Sequence, residues 1–268
     1  MRDRLQLLLC ISVLLGSGLG SCDPVFDIKD PAFIEECVRE HNKHRSGVKP
    51  TAAAMRYMSW DEGLAVTARA WARFCVFKHN IYIRDVKRMH PTFTSVGENL
   101  WTGELYSSFK PESAVKMWKD EDVHYSLDAN ACTAGKVCGH YTQIVWADSY
   151  KVGCAAQACP NGVAHFTTRP GVIFVCNYAT AGNYAGVSPY KAGVSCSGCG
   201  GDRCQDQLCR NPDRDAPQSY NWTPDWDPAL SSCNSFCVAV VVIRLVSIPL
   251  MFACVYCLRR HYNLFAYE

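Results

Sequence analysis

Seventeen cysteines in 268 residues constrain this chain more than any other feature, because so many thiols point to folding in an oxidising compartment. The N-terminus fits that route. Arg2 and Arg4 precede an apolar run from Leu5 to Leu15, and Gly18 and Gly20 supply small residues for cleavage, so residues 1–20 are expected to be a signal peptide. A second apolar stretch, Phe236 to Leu258, is 23 residues long, enough to cross a bilayer as a helix. Arg244 and Pro249 oppose this. An arginine near the centre costs roughly 2.5–3.5 kcal/mol, whereas each Leu, Ile, Val or Phe returns about 0.3–0.6 kcal/mol. Thirteen residues of those four types tip the balance towards insertion. Arg259 and Arg260 follow the stretch while Asp225 and Asp227 precede it, which makes residues 259–268 a cytoplasmic tail and leaves the rest outside. An arginine at that depth is expected either to pair with a membrane-embedded partner helix or to leave insertion marginal.

Formal net charge is +2 with Lys and Arg spread along the chain, so nothing directs it to nucleic acid. Asn221-Trp222-Thr223 is the single N-x-[ST] acceptor and is expected to be glycosylated. Residues 210–235, rich in Asp, Pro, Asn, Ser and Trp without a period, read as a stalk.

Periodicity supplies the coarse structure of the rest. Asp30-Pro31 offers a cap and a first helical position, after which Ile34, Val38, His41 and Arg45 share a face that turns His41 inward. Residues 61–75 form a second expected helix. A third runs from about 112 to 125, where Ala114, Trp118, Glu121 and Tyr125 put the carboxylate of Glu121 on the buried stripe. Strands are expected at 140–146, 152–156 and 172–178. Alternation through Gly139-His140-Tyr141-Thr142-Gln143-Ile144-Val145-Trp146 sets His140 on a core face, where an imidazole needs a partner or a metal. His79, Glu98 and Glu121 are the candidate partners. Helices before and between strands that need not be parallel give an α+β domain.

The same run resembles the signature of the CAP superfamily, the cysteine-rich secretory, antigen 5 and pathogenesis-related 1 proteins. His41-Asn42 with Arg45, Gly97-Glu98-Asn99-Leu100-Trp101, Trp118 with Glu121, Cys176-Asn177-Tyr178 and Gly182-Asn183 match the family's other motifs in order and spacing. The resemblance covers about residues 30–190 and is strongest to the glioma pathogenesis-related 1 branch. Thr180 departs from it, standing where the family usually has proline.

The resemblance implies a three-layer α-β-α sandwich over residues 21–190 and a cysteine-rich hinge module at 191–209. It implies the pairs Cys75–Cys159, Cys154–Cys176, Cys132–Cys138, Cys196–Cys204 and Cys199–Cys209, and leaves Cys22, Cys37, Cys233 and Cys237 unassigned. Zinc at Cys196-x-x-Cys199 is the weaker alternative, since no histidines interleave. Family members hold a His-Glu-Glu-His tetrad in a cleft, matched here by His79, Glu98, Glu121 and His140. One reading has His79 and His140 ligate zinc or another divalent cation while Glu98 and Glu121 orient them; the other has all four satisfy one another. His41, Asn42, Asn99 and Gln143 are expected to support the cleft.

Two function classes follow. The first is a non-enzymatic extracellular binding module on a single-pass membrane anchor, or its secreted form, with a lipid, a sterol or an extracellular protein as ligand. The alternative is a metal-dependent, protease-like hydrolase with Glu98 or Glu121 as base. No G-x-S-x-G motif accompanies either.

Overall fold

Two long strands organise the domain. The computed structural model describes residues 26–104, 108–231 and 235–262; the expected signal peptide, Cys22, Cys233 and the tail from 263 lie outside the described residues. Helix α1 spans Pro31–Ser46, strand β1 Ser59–Trp60, helix α2 Glu62–Ala72, the short helix α3 Val86–Met89, strand β2 Gly97–Gly103 and helix α4 Pro111–Lys119. The hairpin β3 (Tyr125–Ser126) and β4 (Ala131–Cys132) leads to helix α5, Gly139–Ile144. Strands β5, Lys151–Cys159, and β6, Gly171–Ala179, then pair antiparallel along their whole length, and every residue of β6 is buried. Burial of both faces explains why these runs are mostly apolar instead of alternating, Lys151, Gln157 and Asn177 excepted.

The sheet order is β1-β5-β6-β2, so β2 is an edge strand. Its two faces are covered by different helices. A Cβ added at Gly153 of β5 would lie 2.1 Å from the backbone nitrogen of Ala65, so α2 rests its backbone on the sheet and only glycine fits beneath it. On the other face Phe33 of α1 and Trp118 of α4 pack against Phe174, with ring centroids 6.4 Å and 5.5 Å away. The result is the α-β-α layering that the resemblance implies.

Local signals start both long helices. Asp30 accepts from the Ala32 N–H with Pro31 in the first turn, and Asp61 accepts from the Leu64 N–H. The buried stripe of α1 is Phe33, Cys37, His41 and Arg45, a shift of one position from Ile34 and Val38. Helix α4, expected to run to about 125, stops at Lys119 and a tighter turn, Asp120–His124, follows, so Glu121 is half-buried off the helical stripe expected for it. The expected strand at 140–146 is corrected outright: Gly139–Ile144 is helical, and Tyr141 to Trp146 are all buried without alternation. A short apolar run carries no usable period, and Arg45 takes the carbonyls of Ile144 and Trp146 as this helix ends.

Among the described residues five disulfides close the chain: Cys75–Cys159, Cys132–Cys138, Cys154–Cys176, Cys196–Cys204 and Cys199–Cys209. Cys196 and Cys199 are therefore consumed as bridges, which removes the zinc alternative for that pair. The last two bridges hold a small hairpin, β7 Arg203–Gln205 and β8 Leu208–Arg210. Cys37 is a wholly buried thiol in the core.

The chain divides into two compact units, Met1–Pro224 and Asp225–Glu268. The hydrophobic core cluster and all five bridges lie in the first, so that unit has what it needs to fold alone. Part of the expected stalk belongs to it. The short helix α6, Pro212–Asp215, is followed by Ala216, whose carbonyl accepts from Lys151 Nζ at 2.7 Å, and by Tyr220, whose hydroxyl donates to Asp61 Oδ2 at 2.9 Å. Tyr220 and Trp222 lie against the ring of His90, and that aromatic packing is why the aperiodic segment is held down. The second unit contains helix α7, Ser235–Tyr262, unbroken at Pro249. Its stretch Ala239–His261 is 23 residues long with mean hydropathy 2.3, long and apolar enough to cross a membrane, and Arg244 lies within it.

Candidate functional site

Two consecutive residues of the edge strand β2 address the two histidines from opposite faces of the sheet. Glu98 pairs in register with Asn177 and faces α2; Asn99 pairs with Cys176 and faces α1 and α5. Glu98 Oε1 accepts from His79 Nδ1 at 2.9 Å and from the Asn80 N–H at 2.9 Å. The Glu98 side chain has no exposure while that of His79 is 62% exposed, so a buried carboxylate holds an imidazole out in water. The hydrogen bond and charge of Glu98 raise the His79 pKa above its ordinary value. Glu98 Oε2 and both polar atoms of Asn177 are buried without a hydrogen-bond partner among the described residues.

The second pair forms beyond the other face. Glu121, in the turn after α4, accepts from His140 Nδ1 at 2.6 Å with one oxygen and from the His140 and Tyr141 N–H groups with the other. Trp118 lies parallel to the His140 ring, 6.2 Å away. In both pairs a carboxylate fixes the tautomer with hydrogen on Nδ1, which leaves Nε2 with its lone pair for a ligand. Thus His79 is joined to Glu98 and His140 to Glu121, while among the described residues no group of three His, Cys, Asp or Glu side chains converges as a metal cluster.

A buried relay fixes this arrangement. Asn99 Nδ2 donates to the His140 carbonyl at 3.0 Å and to the Tyr178 hydroxyl at 3.2 Å. His41 Nδ1 lies 2.7 Å from the Cys37 carbonyl, which only accepts, so Nε2 accepts from the Tyr178 hydroxyl at 2.9 Å. Asn42 donates to the Met58 carbonyl and accepts from its N–H, tying α1 to the segment entering β1. Gln143 accepts from Gly182 and donates to Ser149; a Cβ at Gly97 would lie 2.1 Å from its Oε1, so β2 approaches α5 only through a glycine.

Sequence reasoning missed two groups here. Tyr178, the centre of the relay, was signalled by alternation, which puts it on the same face as Phe174 and Cys176. The fully buried pair His90 and Asp61, 2.9 Å apart, carried no such signal, because nothing local joins residues 29 positions apart.

Burial pushes the His41 pKa down to about 4. An unfolded histidine titrates near ~6.5, so the unfolded state gains a proton first as pH falls, and the stability present above ~6.5 is lost on the way down to about 4. The expected loss is about 3 kcal/mol between neutral pH and pH ~4, read from denaturant melts. His41→Gln should flatten that limb; an unchanged acid limb in the variant would refute the assignment.

Comparison with known proteins decides the family. Residues 38–178 match the model of the cysteine-rich secretory protein family, CAP. The chain belongs to the CAP family. It is 48% identical to GLIPR1-like protein 1 of Bos taurus over 219 residues, covering 81% of this chain and 88% of that one. It is 43% identical to glioma pathogenesis-related protein 1 of Mus musculus over 253 residues, covering 91% of this chain and 93% of that one. Among solved CAP structures, one described as NaASP2 with Zn2+ aligns at a TM-score of 0.53 and 26% identity, covering 67% of this chain and 96% of that one.

Proposed function

We propose that this CAP protein is a non-enzymatic extracellular binding module on a single-pass anchor, whose His79 and His140 are available at Nε2 to a divalent cation. The observation that carries the reading is the pair of matched tethers: each Nδ1 is tied to a carboxylate, and each Nε2 is left for a ligand. Two neutral imidazoles suit zinc better than calcium. A relative of this fold has been solved with zinc. The hydrolase alternative is disfavoured by the same geometry. Both oxygens of Glu121 and one of Glu98 are already accepting hydrogen bonds, and the other oxygen of Glu98 is buried, so neither carboxylate is placed as a base for a bound water.

The organic ligand in this reading is a lipid, a sterol or an extracellular protein. A cavity of about 400 Å³ mixes Val48, Pro50, Leu127 and Tyr190 with His44, Lys49, Lys119, Asp122 and Asp128, a lining suited to a ligand with both apolar and polar groups. Residues 1–20 act as a signal peptide, Asn221 is exposed for glycosylation, and Arg244 meets an acid on a partner helix.

Zinc calorimetry on residues 26–224 tests the metal. Binding is expected in the wild-type unit and should disappear in His79→Gln with His140→Gln, while Glu98→Gln weakens it about 10–100-fold. No heat of zinc binding from correctly bridged protein would overturn the proposal.

A further inference from the structure

Positive charge is concentrated on one segment. Residues 69–90 hold Arg69, Arg73, Lys78, Arg84, Lys87 and Arg88 against Asp85 alone, 6 − 1 = +5, while the whole chain is 27 − 25 = +2, so the remainder is net −3. That count corrects the even spread read from composition. The segment runs from the end of α2 through α3, and Lys78, Arg84 and Lys87 are exposed on it.

The same segment, and the loop that packs on it, hold large apolar side chains in water. Ile81 is 74% exposed, Phe166 49% and Phe74 41%. They stand on a built surface. Cys75 is bridged to Cys159, the Ala164 N–H donates to the Cys75 carbonyl, and the Phe77 N–H donates to the Ala164 carbonyl. The Phe77 and Phe166 rings lie 6.0 Å apart, Trp71 lies 5.3 Å from Phe74, and Trp71 Nε1 donates to the Lys78 carbonyl. Aromatic groups held out by a cross-linked loop lose little freedom on binding.

Cations interleaved along the segment with projecting phenylalanine and isoleucine, in the order Phe74, Lys78, Ile81, Arg84, Lys87, match the boundary of a bilayer, where the rings enter the acyl edge and the basic heads meet lipid phosphates. A sulfated polysaccharide would satisfy the charges and leave Phe74, Ile81 and Phe166 in water. The chain also carries α7, apolar and long enough to cross a bilayer, so a bilayer is a surface the chain itself can meet.

We propose that Phe74, Ile81 and Phe166, with Lys78, Arg84 and Lys87 beside them, form a docking face for an anionic lipid bilayer surface. The test is co-sedimentation of residues 26–224 with vesicles of mixed phosphatidylcholine and phosphatidylserine, against vesicles of phosphatidylcholine alone. Binding is expected to the mixed vesicles and to fall steeply with salt. Lys78→Gln, Arg84→Gln and Lys87→Gln together should weaken it about a hundredfold, each basic group being worth about fivefold. Phe74→Ser with Phe166→Ser should weaken it at least about tenfold at unchanged charge. A cooperative melt and intact bridges confirm that each variant is folded. Equal binding to neutral vesicles, or no binding to either, overturns the proposal. Binding indifferent to the phenylalanine pair, with heparin bound as well as the vesicles, overturns it in favour of a sulfated polysaccharide.

Discussion

Arg45→Met is expected to destabilise the domain by at least about 4 kcal/mol, much of the total ~5–15 kcal/mol that holds such a unit together. Arg45 is fully buried on α1, and it donates to backbone carbonyls: Ile144 and Trp146 at Nη1, Arg56, Ala147 and Ser149 at Nη2, and Arg56 again at Nε. Burial lowers its pKa to about 9, which still leaves it charged at neutral pH. A methionine of similar length fills the space and strands those carbonyls, and each hydrogen bond to a charged donor is worth roughly 1.5–3 kcal/mol. Lysine supplies three donors on a point charge and cannot reproduce the planar fork, so Arg45→Lys should recover only part of the loss. Urea melts of residues 26–224 measure both. A methionine variant within about 1 kcal/mol of wild type would show that the carbonyls find other partners.

Cys75→Ala with Cys159→Ala is expected to cost about 4 kcal/mol and to lower Tm by about 8–16 °C. The bridge closes a loop with a sequence separation of 84, so its loss frees a large unfolded ensemble. Cys132–Cys138 spans a separation of 6, and the same chain-entropy argument gives about 2 kcal/mol for it. The order of the two losses is the informative measurement. If the short bridge costs as much as the long one, native-state packing rather than loop entropy governs both.

The site was legible in the sequence only as a set of residues. The family resemblance named His79, Glu98, Glu121 and His140 as a set, but nothing in the sequence says that Glu98 holds His79 while Glu121 holds His140. Those partnerships depend on β2 running along the sheet edge, so that adjacent residues face opposite layers. The support residues divide similarly. His41 and Arg45 turn inward on a helical period, whereas their partners Tyr178 and Ile144 lie 137 and 99 positions away.

What the sequence determined by itself is whatever short-range physics sets. Asp30-Pro31 and Asp61 start helices because a side chain two or three residues ahead of the first free N–H groups reaches them without help. The apolar runs at 152–156 and 172–178, broken only by Asn177, became buried strands because no water-facing side was written into them. The tertiary structure decided the rest. Gly139–Trp146 is too short for its period to choose helix over strand, and the choice fell to the long-range partners of its backbone: Arg45 on its last carbonyls and Glu121 on its first N–H groups. Tyr220 and Trp222 had no local reason to leave a stalk, and they pack because folding brings His90 and Asp61, far away in the chain, to the surface they meet. A free energy that arises only when distant groups converge has no signature in the residues between them.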